Sequence, residues 1–269
     1  MKTLLCFHAH PDDESIATGG TISRAVHEGH RVVLVMATDG RHGETPADLA
    51  ATESLHDRRR LETERSAAVL GIDRLYWLGY HDSGMTGWPQ NELPDAFARA
   101  DVDDAARRLC DIIVAEGADV VTCYDWHGGY GHPDHIQVHR VGHRAADMAR
   151  MAGRSVRLFE STMNRTRIVQ MMRETMAANA SGEEVPDFDP EGPADDGNPF
   201  GSTEEEITMA VDVSDHVAAK RESIACHASQ MGDSSMFLNM SPEMFARAFG
   251  TEWFIEPGRP GGARPGWFW

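Results

Sequence analysis

The chain is poor in lysine and lacks long apolar runs, and each shortage excludes a class of protein. Lys2 and Lys220 are the only lysines among 269 residues, and 43 acidic side chains outnumber 25 Lys and Arg, giving a formal net charge of −18. No basic cluster suited to nucleic-acid phosphates is present. No apolar run approaches the roughly 20 residues of a membrane-spanning helix. We therefore expect neither a nucleic-acid partner nor a membrane span.

The chain also has few cysteines, and it lacks both a secretion signal and a dinucleotide-binding motif. Four cysteines are widely spaced without a CxxC pair, a pattern that favours buried cysteines packing as small apolar side chains. The first residues lack the basic-then-apolar pattern of a secretion signal, so a cytoplasmic protein is expected. Gly19 and Gly20 fall inside a predicted helix and no GxGxxG follows the first strand, which argues against a dinucleotide site.

Strands and helices alternate along the chain, which is typical of a mostly parallel sheet with helices on both faces. Apolar runs predict strands at residues 2–7, 31–38, 75–78, 119–124, 156–160, 207–213 and 253–255, the last at a sheet edge. Helical spacing predicts helices at about 14–26, 56–70, 101–116, 136–151, 164–178, 214–229 and 242–249. We expect one Rossmann-like α/β domain over residues 1–269 with a small C-terminal extension.

Residues 179–206 differ from the rest, because they are rich in Asp, Glu, Pro and Gly and contain no Lys or Arg. Such a composition buries little apolar surface. An acidic surface insertion is therefore expected here, ordered only where a substrate or a partner holds it.

Two dense groups of His and Asp follow predicted strands. The first group is His8, His10, Asp12 and Asp13, and the second is His127, His132, Asp134 and His135. Ligands of open α/β sheets bind at the carboxyl ends of the strands, so the groups would share one crevice if their strands are neighbours. Catalytic zinc uses three nitrogen or oxygen ligands and leaves a position for water. The residues thus predict a two-His, one-Asp zinc site, although iron suits the same donors.

The stretches His10-Pro11-Asp12-Asp13-Glu14 and His132-Pro133-Asp134-His135 resemble the paired motifs of the zinc-dependent N-acetylglucosaminyl deacetylases of the PIG-L/LmbE family. The similarity extends to residues 59–62, 82–85, 128–131 and 227–230, and so covers most of the chain. Within the family, the chain is more similar to the mycothiol-biosynthesis branch, which acts on an N-acetylglucosaminyl-inositol. The mycothiol-conjugate amidases are similar too, but the glycine before His132 and the Asp82 loop look more like the deacetylases.

The resemblance implies an LmbE-like fold that hydrolyses the N-acetyl amide of an amino sugar. It implies zinc ligation by His10, Asp13 and His135. Asp12 would be the general base, and His132, oriented by Asp134, the general acid or oxyanion partner. Tyr130 would help hold the tetrahedral intermediate. The residues assigned to substrate binding would be Arg59, Asp82 and Glu14.

The expected chemistry agrees with these residue types. An amide is a poor electrophile, so the metal must activate water and polarise the carbonyl, and a histidine suits protonation of the leaving amine. The alternatives are an amidase of mycothiol S-conjugates, a deacylase of another N-acyl amino sugar, and, in a different class, a non-catalytic module that binds sugars or nucleotides. The expected partner is a small-molecule N-acetylated amino sugar. The sequence does not decide between a monomer and a homo-oligomer.

Overall fold

The computed structural model describes residues 1–178, 189–232 and 235–269. Within this described part, eight strands form one sheet of order β3-β2-β1-β4-β5-β7-β6-β8. The strands are β1 Thr3–His8, β2 Arg31–Thr38, β3 Arg74–Tyr80, β4 Val120–Tyr124, β5 Arg157–Thr162, β6 Met209–Asp212, β7 Thr251–Ile255 and β8 Arg264–Pro265. Strands β1 to β5 are mutually parallel, whereas β7 is antiparallel to β5 and β6. The predicted mostly parallel α/β sheet is confirmed.

The position of β7 differs from the expectation of an edge strand, which was wrong. β7 lies between β5 and β6, with Ser161 opposite Phe254 on one side and Met209 opposite Phe254 on the other. Phe254 and Glu252 are both buried. The C-terminal residues therefore extend the sheet beyond β5, on the side away from β4, and β8 pairs with β6 as the edge strand.

Helices cover both faces of the sheet, as predicted. They are α1 Asp13–His27, α2 Leu55–Leu70, α3 Val102–Glu116, α4 Pro133–Met151, α5 Arg165–Ala178, α6 Val217–Cys226, α7 Met236–Asn239 and α8 Pro242–Phe249. Alternate residues of β1 point to opposite faces: Leu5 and Phe7 share a core with α3 and α4, whereas Leu4 and Cys6 share one with α1. None of the helices described is long and apolar enough to cross a bilayer.

The crevice lies where the strand order reverses. β1 pairs with β2 on one side and with β4 on the other, with Cys6 opposite Thr122 in the second pair. Because both strands run in the same direction, the turns that follow them meet at one edge of the sheet. The neighbouring strands on which the predicted shared site depends are thus confirmed.

The described part of the acidic segment, residues 189–206, is held by the chain itself. The Gly201 N–H donates to the Gly129 carbonyl at 2.7 Å, and the Asp195 N–H donates to the Tyr130 carbonyl at 3.1 Å. Main-chain hydrogen bonds therefore connect this part to the turn after β4. Residues 179–188, the first part of the segment, lie outside the described residues.

Candidate functional site

Asp13 lies between two histidines at the carboxyl edge of the sheet. Its Oδ2 is 3.4 Å from His10 Nδ1 and 3.4 Å from His135 Nε2. The turn after β1 supplies His10, the first turn of α1 supplies Asp13, and the first turn of α4 supplies His135. The same carboxylate oxygen accepts the His10 main-chain N–H at 2.8 Å, which fixes its position. The structure thus brings together the three residues predicted as metal ligands.

The second nitrogen of each histidine is bound to an acceptor. His10 Nε2 donates to Asp134 Oδ2 at 3.0 Å, and His135 Nδ1 donates to the Gly128 carbonyl at 3.1 Å. A carboxylate and a carbonyl only accept, so the nitrogens that face Asp13 are the ones whose lone pairs a metal ion would use. His135 Nε2 is buried without a hydrogen-bond partner. A lone pair oriented by a partner behind the ring is the usual arrangement of a metal-binding histidine, so these residues fit a divalent ion.

His132 is close to the same centre but presents a different group. One ring nitrogen of each of His10, His132 and His135 lies within 4.8 Å of the others. A second set with the same spacing between ligand atoms consists of His10, Asp82, His132 and Asp134. His132 is the N-cap of α4, and its Nδ1 accepts the Asp134 main-chain N–H at 3.1 Å. The proton of the neutral ring is then on Nε2. His132 therefore contributes a hydrogen-bond donor.

Burial and the neighbouring His10 and His135 lower the pKa of His132 to about 2. Its imidazole is accordingly neutral at ordinary pH. The opposite holds for Asp13: burial would raise its pKa, but His135 and His10 hold it well below the usual value. The carboxylate is therefore charged and ready to bind a cation.

Asp12 has a strained backbone and an unusual acidity. Its φ is 103° and its ψ is −29°, a region that residues other than glycine rarely adopt and that often occurs at functional sites. Burial raises the pKa of its carboxyl to about 6, although Arg59 lowers it, and Asp13 adds to the increase. Arg59 Nη2 donates to Asp12 Oδ2 at 3.2 Å. A carboxylate with a raised pKa beside a metal centre suits a general base.

The resemblance implies that Arg59 binds the sugar, but in this structure its guanidinium contacts other groups of the protein. Its side chain is buried, and it donates to the Gly40 carbonyl at 2.6 Å and to the Pro11 carbonyl. The packing of α2 beneath the turns after β1 and β2 directs the guanidinium at these carbonyls and at Asp12. In this structure Arg59 acts on the candidate base.

Asp82 and Glu14, also expected at the substrate, are enclosed by the protein. Asp82 accepts the main-chain N–H groups of His42 and Gly84 at 3.1 and 2.8 Å, and its Oδ1 is 3.6 Å from His10 Nε2. Glu14 is fully buried and accepts from His227 Nε2 at 2.7 Å. Despite its burial, the His227 ring lowers the pKa of Glu14 to about 2. Both carboxylates thus have partners within the protein in this structure, and their assignment to substrate stays a prediction.

The orientation expected for Asp134 also differs. Its carboxylate binds His10 and not His132, and it accepts the Ser83 main-chain N–H at 2.9 Å and the Ser83 hydroxyl. Ser83 was not predicted as a site residue, although it follows Asp82 in the stretch 82–85 that is similar to the family. The Asp134 carboxylate therefore fixes the orientation of the His10 ring.

Two further histidines of the sequence groups point away from the centre. His8 Nδ1 is 2.8 Å from the Tyr124 hydroxyl and its Nε2 is 2.9 Å from the Thr18 hydroxyl, and burial lowers the pKa of His8 to about 4. His127 Nδ1 is 3.4 Å from Asp196 Oδ2 in the acidic segment. Both residues stabilise the surrounding turns.

Tyr130 lies at the mouth of the site. Its ring centroid is 5.0 Å from that of His135 and 6.2 Å from that of His132. The ring centroid of Phe200, in the acidic segment, is 6.5 Å from that of Tyr130, with 25° between the ring planes. Burial raises the pKa of Tyr130, so its hydroxyl stays protonated and can donate a hydrogen bond.

Replacing Asp134 with asparagine is expected to weaken metal binding about 10- to 100-fold, because the partner that orients a metal-binding histidine would lose its charge. Competition with a chelator of known affinity measures the change. Asp147→Asn, an exposed change on the same helix, is the matched control. Equal metal affinity in the two variants would remove Asp134 from this role.

Comparison with known proteins gives one consistent result. Residues 5–146 match the family model PIG-L, GlcNAc-PI de-N-acetylase. The chain is 38% identical over 270 residues to a 1D-myo-inositol 2-acetamido-2-deoxy-alpha-D-glucopyranoside deacetylase of Acidothermus cellulolyticus, covering 95% of this chain and 88% of that protein. It is 41% identical over 239 residues to a Nocardiopsis dassonvillei protein of the same name, covering 83% of each. Among solved structures, the N,N'-diacetylchitobiose deacetylase from Pyrococcus horikoshii is similar with a TM-score of 0.61 and 26% identity, covering 96% of this chain and 84% of that one.

Proposed function

The chain belongs to the PIG-L family of GlcNAc-PI de-N-acetylases, and from that premise we propose that it removes acetate from the amino group of an N-acetylglucosaminyl-inositol. The observation that carries the proposal is the Asp13 carboxylate at 3.4 Å from both His10 Nδ1 and His135 Nε2, with Asp12 next to it in the chain. The names of the curated relatives support the inositol-linked sugar as the substrate. N-deacetylation of an amino sugar is the activity that the family and the site have in common.

Zinc is the ion we propose for His10, Asp13 and His135, because two imidazoles and one carboxylate are a common catalytic zinc set. When bound, such an ion lowers the pKa of water and polarises the amide carbonyl. Iron suits the same donors. Metal analysis of the protein purified without added metal identifies the native ion.

Asp12 is proposed to move the proton. Its carboxylate takes a proton from the attacking water as the new C–O bond forms, and its raised pKa matches this task near neutral pH. The resulting carboxylic acid can return the proton to the amide nitrogen as the C–N bond breaks. The products are the free amine and acetic acid, which ionises to acetate and releases its proton to solvent or to the amine; the proton taken up by Asp12 ends on the leaving nitrogen.

His132 is proposed as a neutral donor to the developing oxyanion, which is one of the two roles that the resemblance left open. Its Nδ1 already accepts a hydrogen bond, and a pKa of about 2 opposes a protonated ring. The proton on Nε2 is then available to a carbonyl oxygen that gains charge. Tyr130 is a second candidate donor. Loss of one such donor typically costs about 2.7–4 kcal/mol of barrier.

Substrate choice is proposed to depend on the loops around the crevice. Trp126, in the turn after β4, and Trp88, in the loop after β3, keep 55% and 44% of their surfaces exposed. Aromatic faces of this kind can pack on a sugar ring. Phe200 brings the acidic segment next to Tyr130. Trp88 and Trp126 lie in loops that follow β3 and β4 at the carboxyl edge of the sheet.

The deciding experiment follows acetate and free amine released from N-acetylglucosaminyl-inositol, from N-acetylglucosamine and from a bulky N-acyl thiol conjugate. We expect metal-dependent release, with a kcat/KM at least about tenfold higher for the inositol glycoside, because contacts to the aglycone add roughly 1.4 kcal/mol or more to transition-state binding. Protein treated with a chelator is the control. A preference for the conjugate would favour the amidase alternative, and turnover that survives metal removal would contradict the proposal.

A further inference from the structure

A second group of metal-binding side chains lies outside the catalytic centre. One ligand-type atom from each of Cys123, His139 and His143 lies within 4.8 Å of the others. A carboxylate adjoins them, because Glu160 Oε1 is 2.6 Å from His143 Nε2 and 3.6 Å from His139 Nδ1. One sulfur, two imidazoles and one carboxylate thus surround a small volume.

The fold brings these four donors together from three elements. Cys123 of β4 and Glu160 of β5 are directly paired in the sheet, so their side chains share one face. His139 and His143 are four residues apart on α4, with ring centroids 4.3 Å apart. Two histidines at this spacing on one helix face are a recurrent zinc-binding arrangement. The helix therefore presents two imidazoles to a sulfur and a carboxylate beneath them.

A glycine allows the helix to approach the sulfur. Gly142 lies between the two histidines in the helix, and a Cβ at this position would be 2.7 Å from Cys123 Cβ and 3.1 Å from its Sγ. Any larger residue would push α4 away from β4 at this point. Cys123 itself is buried, whereas the His143 side chain keeps 34% of its surface exposed. The group is thus open to solvent on the histidine side and closed at the sulfur.

We propose that Cys123, His139, His143 and Glu160 form a second site for a thiophilic divalent ion such as Zn²⁺. Metal bonds of about 2.0–2.3 Å separate tetrahedral donors by roughly 3.3–3.8 Å, so side-chain adjustments of about 1 Å complete the site. Burial raises the pKa of the Cys123 thiol well above its usual value, so the ion must displace a proton. That cost favours ions that bind sulfur strongly over Mg²⁺ or Ca²⁺.

The second site adjoins the catalytic one through shared elements. His135, His139 and His143 occupy successive turns of α4, and at about 1.5 Å rise per residue neighbouring turns are roughly 6 Å apart along the helix axis. Tyr124 also spans both: its ring lies 4.6 Å from that of His135, and its carbonyl oxygen is 3.1 Å from His139 Nδ1. An ion that moves His139 would therefore alter a residue packed against the catalytic centre.

Titration of the full-length reduced apoprotein with Co²⁺ separates the two sites, because the catalytic donors are nitrogen and oxygen and the second site contains sulfur. We expect two bound ions per chain, one of which gives a thiolate-to-cobalt charge-transfer absorption. Cys123→Ala should abolish that band and His143→Gln should weaken the corresponding binding at least tenfold. Cys226→Ser, a half-buried cysteine elsewhere, should leave the band unchanged.

His143→Gln changes a partly exposed residue, and its far-UV circular dichroism, compared with that of the unchanged protein, shows whether the variant is folded. Binding of one or two ions without a sulfur band would overturn the proposal, whereas a single ion with a sulfur band would support this site and count against the catalytic one. A band that persists in Cys123→Ala or disappears in Cys226→Ser would overturn it equally. These outcomes do not depend on which sugar the enzyme accepts.

Discussion

Replacing Asp12 with asparagine is expected to lower kcat about 10²- to 10⁴-fold, the usual contribution of a positioned general base. The amide of asparagine cannot take the proton of the attacking water. Asparagine has the same shape and tolerates positive φ better than most residues, so the strained turn should survive. Steady-state kinetics on the preferred sugar, together with measured metal content, tests the expectation.

A change at an exposed acid provides the matched control for that experiment. Asp111→Asn on α3 makes the same chemical substitution far from the crevice and should keep full activity. An Asp12→Asn variant that binds metal and loses less than tenfold in kcat would remove Asp12 as the base. A variant without metal would instead show that Asp12 supports the ligand turn.

The same base predicts the direction of a pH effect. Arg59 lowers the pKa of Asp12 because its cation stabilises the ionised carboxylate. Arg59→Met should therefore raise that pKa and move the acid limb of the kcat/KM profile to higher pH. Arg59→Lys keeps the charge and should move it less. If the acid limb of Arg59→Met stays at the same pH as that of the unchanged protein, Arg59 does not control the pKa of the catalytic base.

Lys220→Met is expected to reduce the free energy of unfolding by about 3–5 kcal/mol, the usual effect of removing one partner of a buried ion pair. Lys220 Nζ is 2.6 Å from Glu252 Oε1, and the two side chains are 1% and 3% exposed. Glu252 also accepts the main-chain N–H groups of Gly20 and Thr21 at 2.8 Å each. Without the lysine, a buried carboxylate is left with a net charge that nothing offsets.

Urea unfolding of the metal-free protein measures this change without interference from the catalytic ion. The double variant Lys220→Met with Glu252→Gln removes both charges and should recover part of the loss, because the amide oxygen can still accept one of the two N–H groups of α1. If Lys220→Met costs less than about 1 kcal/mol, water or another group must compensate for the missing cation.

The local parts of the fold and site were predictable because their signals are contiguous. A short apolar run, a proline and a helical pattern place His10, Asp13 and His135 at strand ends, and parallel pairing of β1 and β4 then brings the two turns together. The alternation of strands and helices likewise predicted the sheet type. Those predictions needed no knowledge of which distant residues meet.

The remaining parts depend on pairs far apart in sequence. His10 and Asp134 are 124 residues apart, and Glu14 and His227 are 213 apart. No local pattern tells whether a helix carboxylate such as Glu14 faces a sugar or an enclosed imidazole. Arg59 is a similar case, since a charged helix residue usually faces water, yet its partners are two backbone carbonyls and Asp12. The resemblance that assigned both residues to substrate therefore carried no information about these partners.

The scarcity of lysine has a practical consequence now that the positions of both are known. Lys220 is enclosed, whereas the Lys2 side chain is 52% exposed and stands just before β1. The amino end of that strand is at the opposite edge of the sheet from the crevice. Of the two lysine side chains, only Lys2 is thus accessible to dyes, cross-linkers and activated resins, and attachment there would leave the opposite edge of the sheet, which carries the crevice, facing the solution.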